Sequence, residues 1–363
     1  MRTRWILLLL AAGGFIAESF AQAVSGLTPY RSALRTSSAT GRAAVANSPA
    51  KTAAGKAAAA RPALRFNLQF TELGSHAATE GVMERVFSTG EVARFVGSVP
   101  LGTSAEQLRQ QAPRLMRGMD LARERFQVAL PSTFSTNNPS EWGLLVWCSP
   151  GPMPDLPSGW SSMLEKHKLI LVSALNNGNA RTTAAQEAGS PFPFCYYENL
   201  AGALAARHNM VQRYGLNEGR VFVSGHSGGA SVASIVSVCF PDQFTGSIPF
   251  MACRSYVALP GSAAAGGPKW EKYLDPNYDR PPEAILAMAR EQSRFAIVAG
   301  AGDTKPFGGS WKGANRQEAE LIYQHQFQKE GYKNARFILA PCAHGLPGAS
   351  VLDEALRFVT GAL

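Results

Sequence analysis

A short apolar run at 220–224 (RVFVS) leads directly into Gly225-His226-Ser227-Gly228-Gly229, and small and apolar residues at 230–238 follow. This junction constrains the 363-residue chain more than any other segment. One polar residue flanked by glycines, between a strand and a helix, requires a sharp βα turn. The serine at its tip takes a strained backbone, and the residues two positions away on either side must be very small for strand and helix to approach. The helix N-terminus behind the serine favours developing negative charge. A Gly-rich βα turn of the dinucleotide-binding kind is the competing reading of the same five residues.

The flanking chain alternates strand and helix. Residues 125–130 (RFQVAL) alternate with period two and stop at Pro131. Residues 143–147 (GLLVW), 169–173 (LILVS), 220–224, 247–252, 294–299 (RFAIVA) and 336–340 read as short buried strands. Helices are expected at 160–167, 198–214, 230–238, 282–290, 315–329 and 351–359, with Gly215 and Gly331 closing two of them. Short apolar strands separated by helices predict an α/β fold, a mostly parallel central sheet with helices on both faces. Residues 65–70 and 91–99 are expected as antiparallel edge strands and 106–125 as a helix, all attached to the same sheet.

Charge is distributed unevenly. The chain carries +9, yet residues 1–65 alone hold +8, while 66–363 have 26 basic against 25 acidic residues. A nucleic-acid-binding domain carries its charge on the folded body, so this balance excludes nucleic acid as a partner. Arg2 and Arg4 precede an apolar stretch at 5–17, and Ala21-Gln22-Ala23 fits a small-residue cleavage site. Residues 1–23 therefore read as a secretory signal, and the protein as exported to the periplasm or the exterior. Residues 24–62, rich in Ala, Ser, Thr, Lys and Arg, read as a disordered basic linker. Residues 63–363 form the expected folded domain, with 63–123 as its N-terminal edge. No later run reaches 18 apolar residues, so no stable membrane span is expected.

A serine hydroxyl needs a base, and the base needs an orienting acid. Of six histidines, His226 lies inside the turn, better placed to pack than to take a proton. His167, His208 and His325 fall on expected helices, and His76 precedes the parallel strands. His344 follows the last strand, at the carboxyl edge where open α/β sheets form their sites. Asp303 follows 294–299 at the same edge, 76 residues after Ser227 and 41 before His344. Asp275 and Asp279 are rivals in a Pro-rich stretch with no strand before it. Gly300-x-Gly302 is no dinucleotide fingerprint, because Lys305 stands where the third glycine is needed.

The strand–G-x-S-x-G–helix junction and the chain order Ser227, Asp303, His344 are those of the α/β-hydrolases. From about Arg125 onward, roughly two-thirds of the chain resembles that superfamily. Within it, RVFVSGHSGGASVASIVSVCFPDQFTGSIPF, with Pro241, Asp242 and Phe244, resembles secreted polyhydroxybutyrate-depolymerase-like and feruloyl-esterase-like enzymes. The resemblance implies Ser227 as nucleophile, His344 as base and Asp303 as orienting acid. It implies an oxyanion hole from the amide of Gly228 and a second amide after strand 143–147. Many relatives have His-Gly there; this chain has Trp147-Cys148-Ser149-Pro150-Gly151. Proline has no amide hydrogen, so Gly151 or Ser149 must donate, with Gly151 taken as the candidate.

Five cysteines in an exported chain suggest disulfides with one left over. Cys148, Cys195, Cys253 and Cys342 fall at the carboxyl edge and are expected to supply at least one bridge, with Cys239 free. No metal is expected, because Cys342-x-His344 is too sparse for a site. No cofactor is implied. Tyr256, Trp270 and Trp311 are candidate pocket-wall residues for an acyl chain, a phenolic ring or a polymer strand. The expected activity is carboxylic-ester hydrolysis through an acyl-enzyme, on small-molecule or polymeric esters. The alternatives are a serine peptidase of the prolyl-oligopeptidase type and a non-catalytic envelope-binding protein on the same fold.

Overall fold

The computed structural model describes residues 64–77, 121, 124–150, 156–174, 197–252, 281–305 and 316–362. The expected signal (1–23), linker (24–62), strand at 91–99 and most of the helix at 106–125 lie outside the described residues. Glu124 and Arg125 are described and are not helical.

Eight strands form one sheet in the order β1-β2-β4-β3-β5-β6-β7-β8. They are β1 (Leu64–Leu68), β2 (Phe126–Leu130), β3 (Gly143–Cys148), β4 (Leu169–Ala174), β5 (Val221–His226), β6 (Gly246–Phe250), β7 (Arg294–Gly300) and β8 (Ala335–Ala340). β1 pairs antiparallel with β2, and β2 antiparallel with β4. From β4 through β3, β5, β6, β7 and β8 every pairing is parallel. The helices are α1 (Trp160–Lys166), α2 (Tyr197–Tyr214), α3 (Gly228–Cys239), α4 (Glu283–Gln292), α5 (Arg316–Lys329) and α6 (Ala349–Val359).

Alternation along the strands supplies two cores. Leu144, Val146, Val223, Phe295 and Ile297 pack with Leu200 and Leu204 of α2, Val232 and Ile235 of α3, Leu286 of α4 and Phe327 of α5. Their sequence neighbours Leu145, Trp147, Phe222 and Val298 join the opposite core, with Trp160 and Leu164 of α1 and Leu352 and Leu356 of α6. Central parallel strands are therefore covered on both sides, which is why they read as continuous apolar runs rather than alternating ones. The mostly parallel sheet, its covered faces and the strand–turn–helix at Ser227 make this an α/β-hydrolase fold.

Several boundaries move by one or two residues, among them β1, which ends at Leu68 rather than 70, and two of the shifts have a physical reason in the backbone. β5 runs two residues further, to His226, because Gly225 and His226 pair with Pro249 and Phe250 of β6. β6 ends at Phe250 rather than 252. Met251 has φ +49° and its N–H donates to the Val298 carbonyl (2.8 Å), which turns the chain out of the strand. Among the described residues, no helix is long and apolar enough to cross a membrane.

Phe222 is fully buried in central β5, whereas Leu64 on edge strand β1 is 59% exposed. Phe222→Ala should cost about 3–5 kcal/mol in urea unfolding, and Leu64→Ala should stay within about 0.5 kcal/mol of the native protein.

Candidate active site

The turn after β5 is built by close backbone approach. A Cβ on Gly229 would sit 1.9 Å from the carbonyl oxygen of Cys148 at the end of β3. One on Gly225 would meet the Gly229 carbonyl oxygen at 2.4 Å. Both positions exclude any side chain, so β3, β5 and α3 converge at the residue between them. Ser227 has φ +54° and ψ −119°, outside the comfortable regions for a non-glycine residue. Its N–H donates to the Phe250 carbonyl (3.0 Å), and its own carbonyl accepts from Ser231 in the first turn of α3 (3.2 Å). Although Ser227 occupies the N-cap position, its hydroxyl does not cap the helix. It donates instead to His344 Nε2, 2.9 Å away.

His344 lies in the loop after β8. Its Nδ1–H donates to Asp303 Oδ2 at 2.6 Å, since an ionised carboxylate can only accept. Asp303 follows β7 and is nearly fully buried. The β7 and β8 loops interlock: Ala301 N–H donates to the Ala340 carbonyl (2.8 Å) and Gly302 N–H to that of Cys342 (2.9 Å). Gly300 lies so near this loop that a Cβ would come within 2.4 Å of the Ala343 oxygen. The three residues chosen from sequence thus form one continuous hydrogen-bonded chain.

Three other histidines face carboxylates of their own, and the side chain of His325 lies outside the described residues. His167 Nε2 meets Asp353 Oδ1 at 2.7 Å, His76 lies 3.6 Å from Asp242, and His208 lies 3.6 Å from Glu72. His226 packs: its ring centroid is 5.0 Å from that of His344, the planes 39° apart. Burial, with the adjacent His344 next in weight, lowers its pKa to about 4.

α5 contributes two residues that no sequence motif marked. Arg316 Nη1 stands 3.7 Å from Asp303 Oδ1, and the Gln317 N–H donates to the Asp303 carbonyl (3.2 Å). One turn further, Glu320 is 1% exposed, and neither of its carboxyl oxygens has a hydrogen-bond partner. Burial first, then the charge of Asp303, pushes its pKa well above the usual carboxylate range; the nearby Ala252 amide, not in bonding geometry, offsets only part of this. The sole signal for either in the sequence is the helix itself.

Gly228, buried, opens α3 immediately after the serine. Gly151, Tyr256, Trp270 and Trp311 lie outside the described residues, as do Asp275 and Asp279. Ser149, next to β3, is buried. The cysteine expectation needs correction. Cys148 and Cys342 are free thiols rather than bridge partners; Cys195 and Cys253 lie outside the described residues. Cys148 ends a strand sealed between two neighbours, and burial raises its thiol pKa to about 12. The Cys342 thiol donates to the Gly345 carbonyl (3.4 Å) in its own loop. Cys239, buried at the end of α3, is in no disulfide.

No protein-family model and no curated protein sequence matches this chain. Solved structures share part of it. A putative dipeptidyl aminopeptidase IV from Bacteroides ovatus aligns at 14% identity and a TM-score of 0.42, over 66% of this chain and 33% of that one. S-formylglutathione hydrolase from Staphylococcus aureus aligns at 17% identity and 0.40, over 69% and 92%. A poly(3-hydroxybutyrate) depolymerase from Bordetella parapertussis aligns at 15% identity and 0.42, over 65% and 88%. This chain spans about one third of the peptidase's length.

Two outcomes follow from this geometry. Gly229→Ala should cost at least about 3 kcal/mol by backbone overpacking, measured by chemical unfolding. Gly348→Ala, where an added carbon meets nothing within 4 Å, is the control. Glu320 gives a pH dependence. An unfolded Glu ionises near 4.5, whereas folded Glu320 keeps its proton, so the folded state binds more protons and this group lowers stability as pH rises above 4.5. Glu320→Gln removes that slope: its Tm advantage over the native protein should grow by a few degrees between about pH 4 and about pH 8.

Proposed function

We propose that this protein is an exported serine hydrolase that cleaves carboxylic esters through an acyl-enzyme on Ser227. One observation carries the reading: Ser227 Oγ, His344 Nε2, His344 Nδ1 and Asp303 Oδ2 form a single chain of hydrogen bonds of 2.9 and 2.6 Å. Ser227 Oγ attacks the ester carbonyl while its proton passes to His344 Nε2. Asp303 stabilises the resulting imidazolium and holds its tautomer. The developing oxyanion takes the Gly228 N–H at the α3 N-terminus and a second N–H from Ser149 or Gly151, never from Pro150. The ester C–O bond then breaks, and His344 returns the proton to the departing alcohol. Water, deprotonated by His344, attacks the acyl-enzyme and releases the acid.

Esters are favoured over peptides on sequence grounds. The run from Arg220 to Phe250, with Pro241, Asp242 and Phe244, resembles secreted polyhydroxybutyrate-depolymerase-like and feruloyl-esterase-like enzymes. The sequence candidates Tyr256, Trp270 and Trp311 are aromatic, a chemistry that suits an acyl chain, a feruloyl ring or a polyester strand. Export rests on residues 1–23.

Ser227→Ala and His344→Ala should each lower kcat by about 10⁴-fold or more on a chromogenic short-chain ester, with Asp303→Asn losing no more than either. A fluorophosphonate should label Ser227. Label on another serine, or faster turnover of a peptide amide than of the ester, would replace this reading.

A further inference from the structure

Two hydrogen bonds hold His344, at Nδ1 and at Nε2. Both lie in the plane of the imidazole. They fix where the ring sits, but they leave it free to rock about the line joining the two nitrogens. The residue itself belongs to no helix or strand, and its side chain is 26% exposed. Something must therefore restrain the plane of the ring if Nε2 is to stay aimed at Ser227.

His226 meets that need. It is the last residue of β5 and pairs with Phe250 of β6, so its backbone is held in the central sheet. Its ring packs against that of His344, with centroids 5.0 Å apart and planes tilted by 39°. Its buried Nε2 makes no hydrogen bond. The charged groups that act on it are His344, Asp303 and Arg316. Burial keeps the His226 ring neutral well below the range where a histidine base titrates, so the imidazolium formed on His344 during turnover meets no second cation.

We propose that His226 is a positioning residue of this site: a ring carried on the central strand that packs, tilted, against His344 and keeps its plane aligned between Ser227 and Asp303. The proposal rests on the triad reading above and adds a residue to it. Rocking about the line of the two nitrogens leaves Nε2 in place but tips its lone pair away from the Ser227 hydroxyl, which weakens proton transfer without altering substrate affinity, so the signature is in kcat rather than KM.

The experiment compares His226→Phe, which keeps a packing ring, with His226→Ala, which does not. On 4-nitrophenyl butyrate, His226→Ala should lower kcat about 10-fold with KM changed less than about 2-fold, and His226→Phe should bring kcat back to within about 3-fold of native. The acid limb of kcat/KM in His226→Phe should coincide with the native limb. A second readout needs no turnover: the proton NMR signal of His344 Nδ1–H in the resting protein should persist in His226→Phe and broaden or vanish in His226→Ala. Equal kcat and equal NMR signals in all three proteins would overturn the proposal. So would a His226→Phe protein as slow as His226→Ala, which would assign the role to the nitrogen. An acid limb displaced to higher pH in His226→Phe would show that the native ring is charged in that range, and would also overturn it. Failure of the triad reading looks different: the native protein would not turn over the ester, while the NMR comparison would still decide whether His226 holds His344.

Discussion

Everything at the site depends on the contact between the Cys148 carbonyl and the backbone of residue 229, where even one extra carbon would lie 1.9 Å from oxygen. Because β3 reaches so far towards α3, the chain between β5 and α3 has no room to turn gently. It turns at a single residue, and Ser227 accepts φ +54° as a result. The strain is held by the surrounding ladder: Ser224, Gly225 and His226 are registered on β6, and the Ser227 N–H is tied to Phe250. A strained, raised serine at the head of a helix presents its hydroxyl to a base, a property obtained from one steric constraint.

The acids near the site divide the electrostatic work. Asp303 is buried but has His344 on one oxygen, Arg316 near the other, and the start of α5 against its carbonyl. Arg316 and the first turn of α5 place a positive charge and a backbone N–H donor beside it. Glu320, one turn along the same helix, has no partner and lies within reach of the charge on Asp303. Two neighbouring buried carboxyls resist ionising together, and the unpaired one keeps its proton. α5 thus supplies a cation to one acid and buries the other as a neutral group.

The sheet was legible because burial on both faces writes itself into a parallel strand as an unbroken apolar run; RVFVS, LILVS and RFAIVA could hardly be anything else. Ser227, Asp303 and His344 were legible for a related reason. Each follows such a run directly, and position at a strand's carboxyl end is visible in one dimension. Arg316 and Glu320 were not, because their partners depend on how α5 docks on the β7 loop, and helix periodicity says nothing about docking. The cysteines failed in the opposite sense. Placing Cys148 and Cys342 at the same edge of the sheet brought them to the same region but ignored direction: Cys148 is sealed within β3, while Cys342 bonds inside its own loop. β6 ended early because Met251 leaves the ladder through a backbone bond to β7, a choice no side-chain pattern encodes.

Trp160 opens α1, and its indole N–H donates to the Pro347 carbonyl (3.0 Å), three residues beyond His344 and 187 residues away in sequence. Asp353 of α6 adds Lys166 and His167 to the same junction. The loop bearing His344 is therefore moored to an early segment of the chain. Closing loops this long carries a large entropic cost that is recovered only when both ends are in place, so such contacts form late in folding. The hydrogen-bonded chain at Ser227 should accordingly be among the last features to assemble on refolding. Under heat, release of the short α1 would slacken the His344 loop while the central strands persist, so loss of the aligned site would precede loss of the sheet.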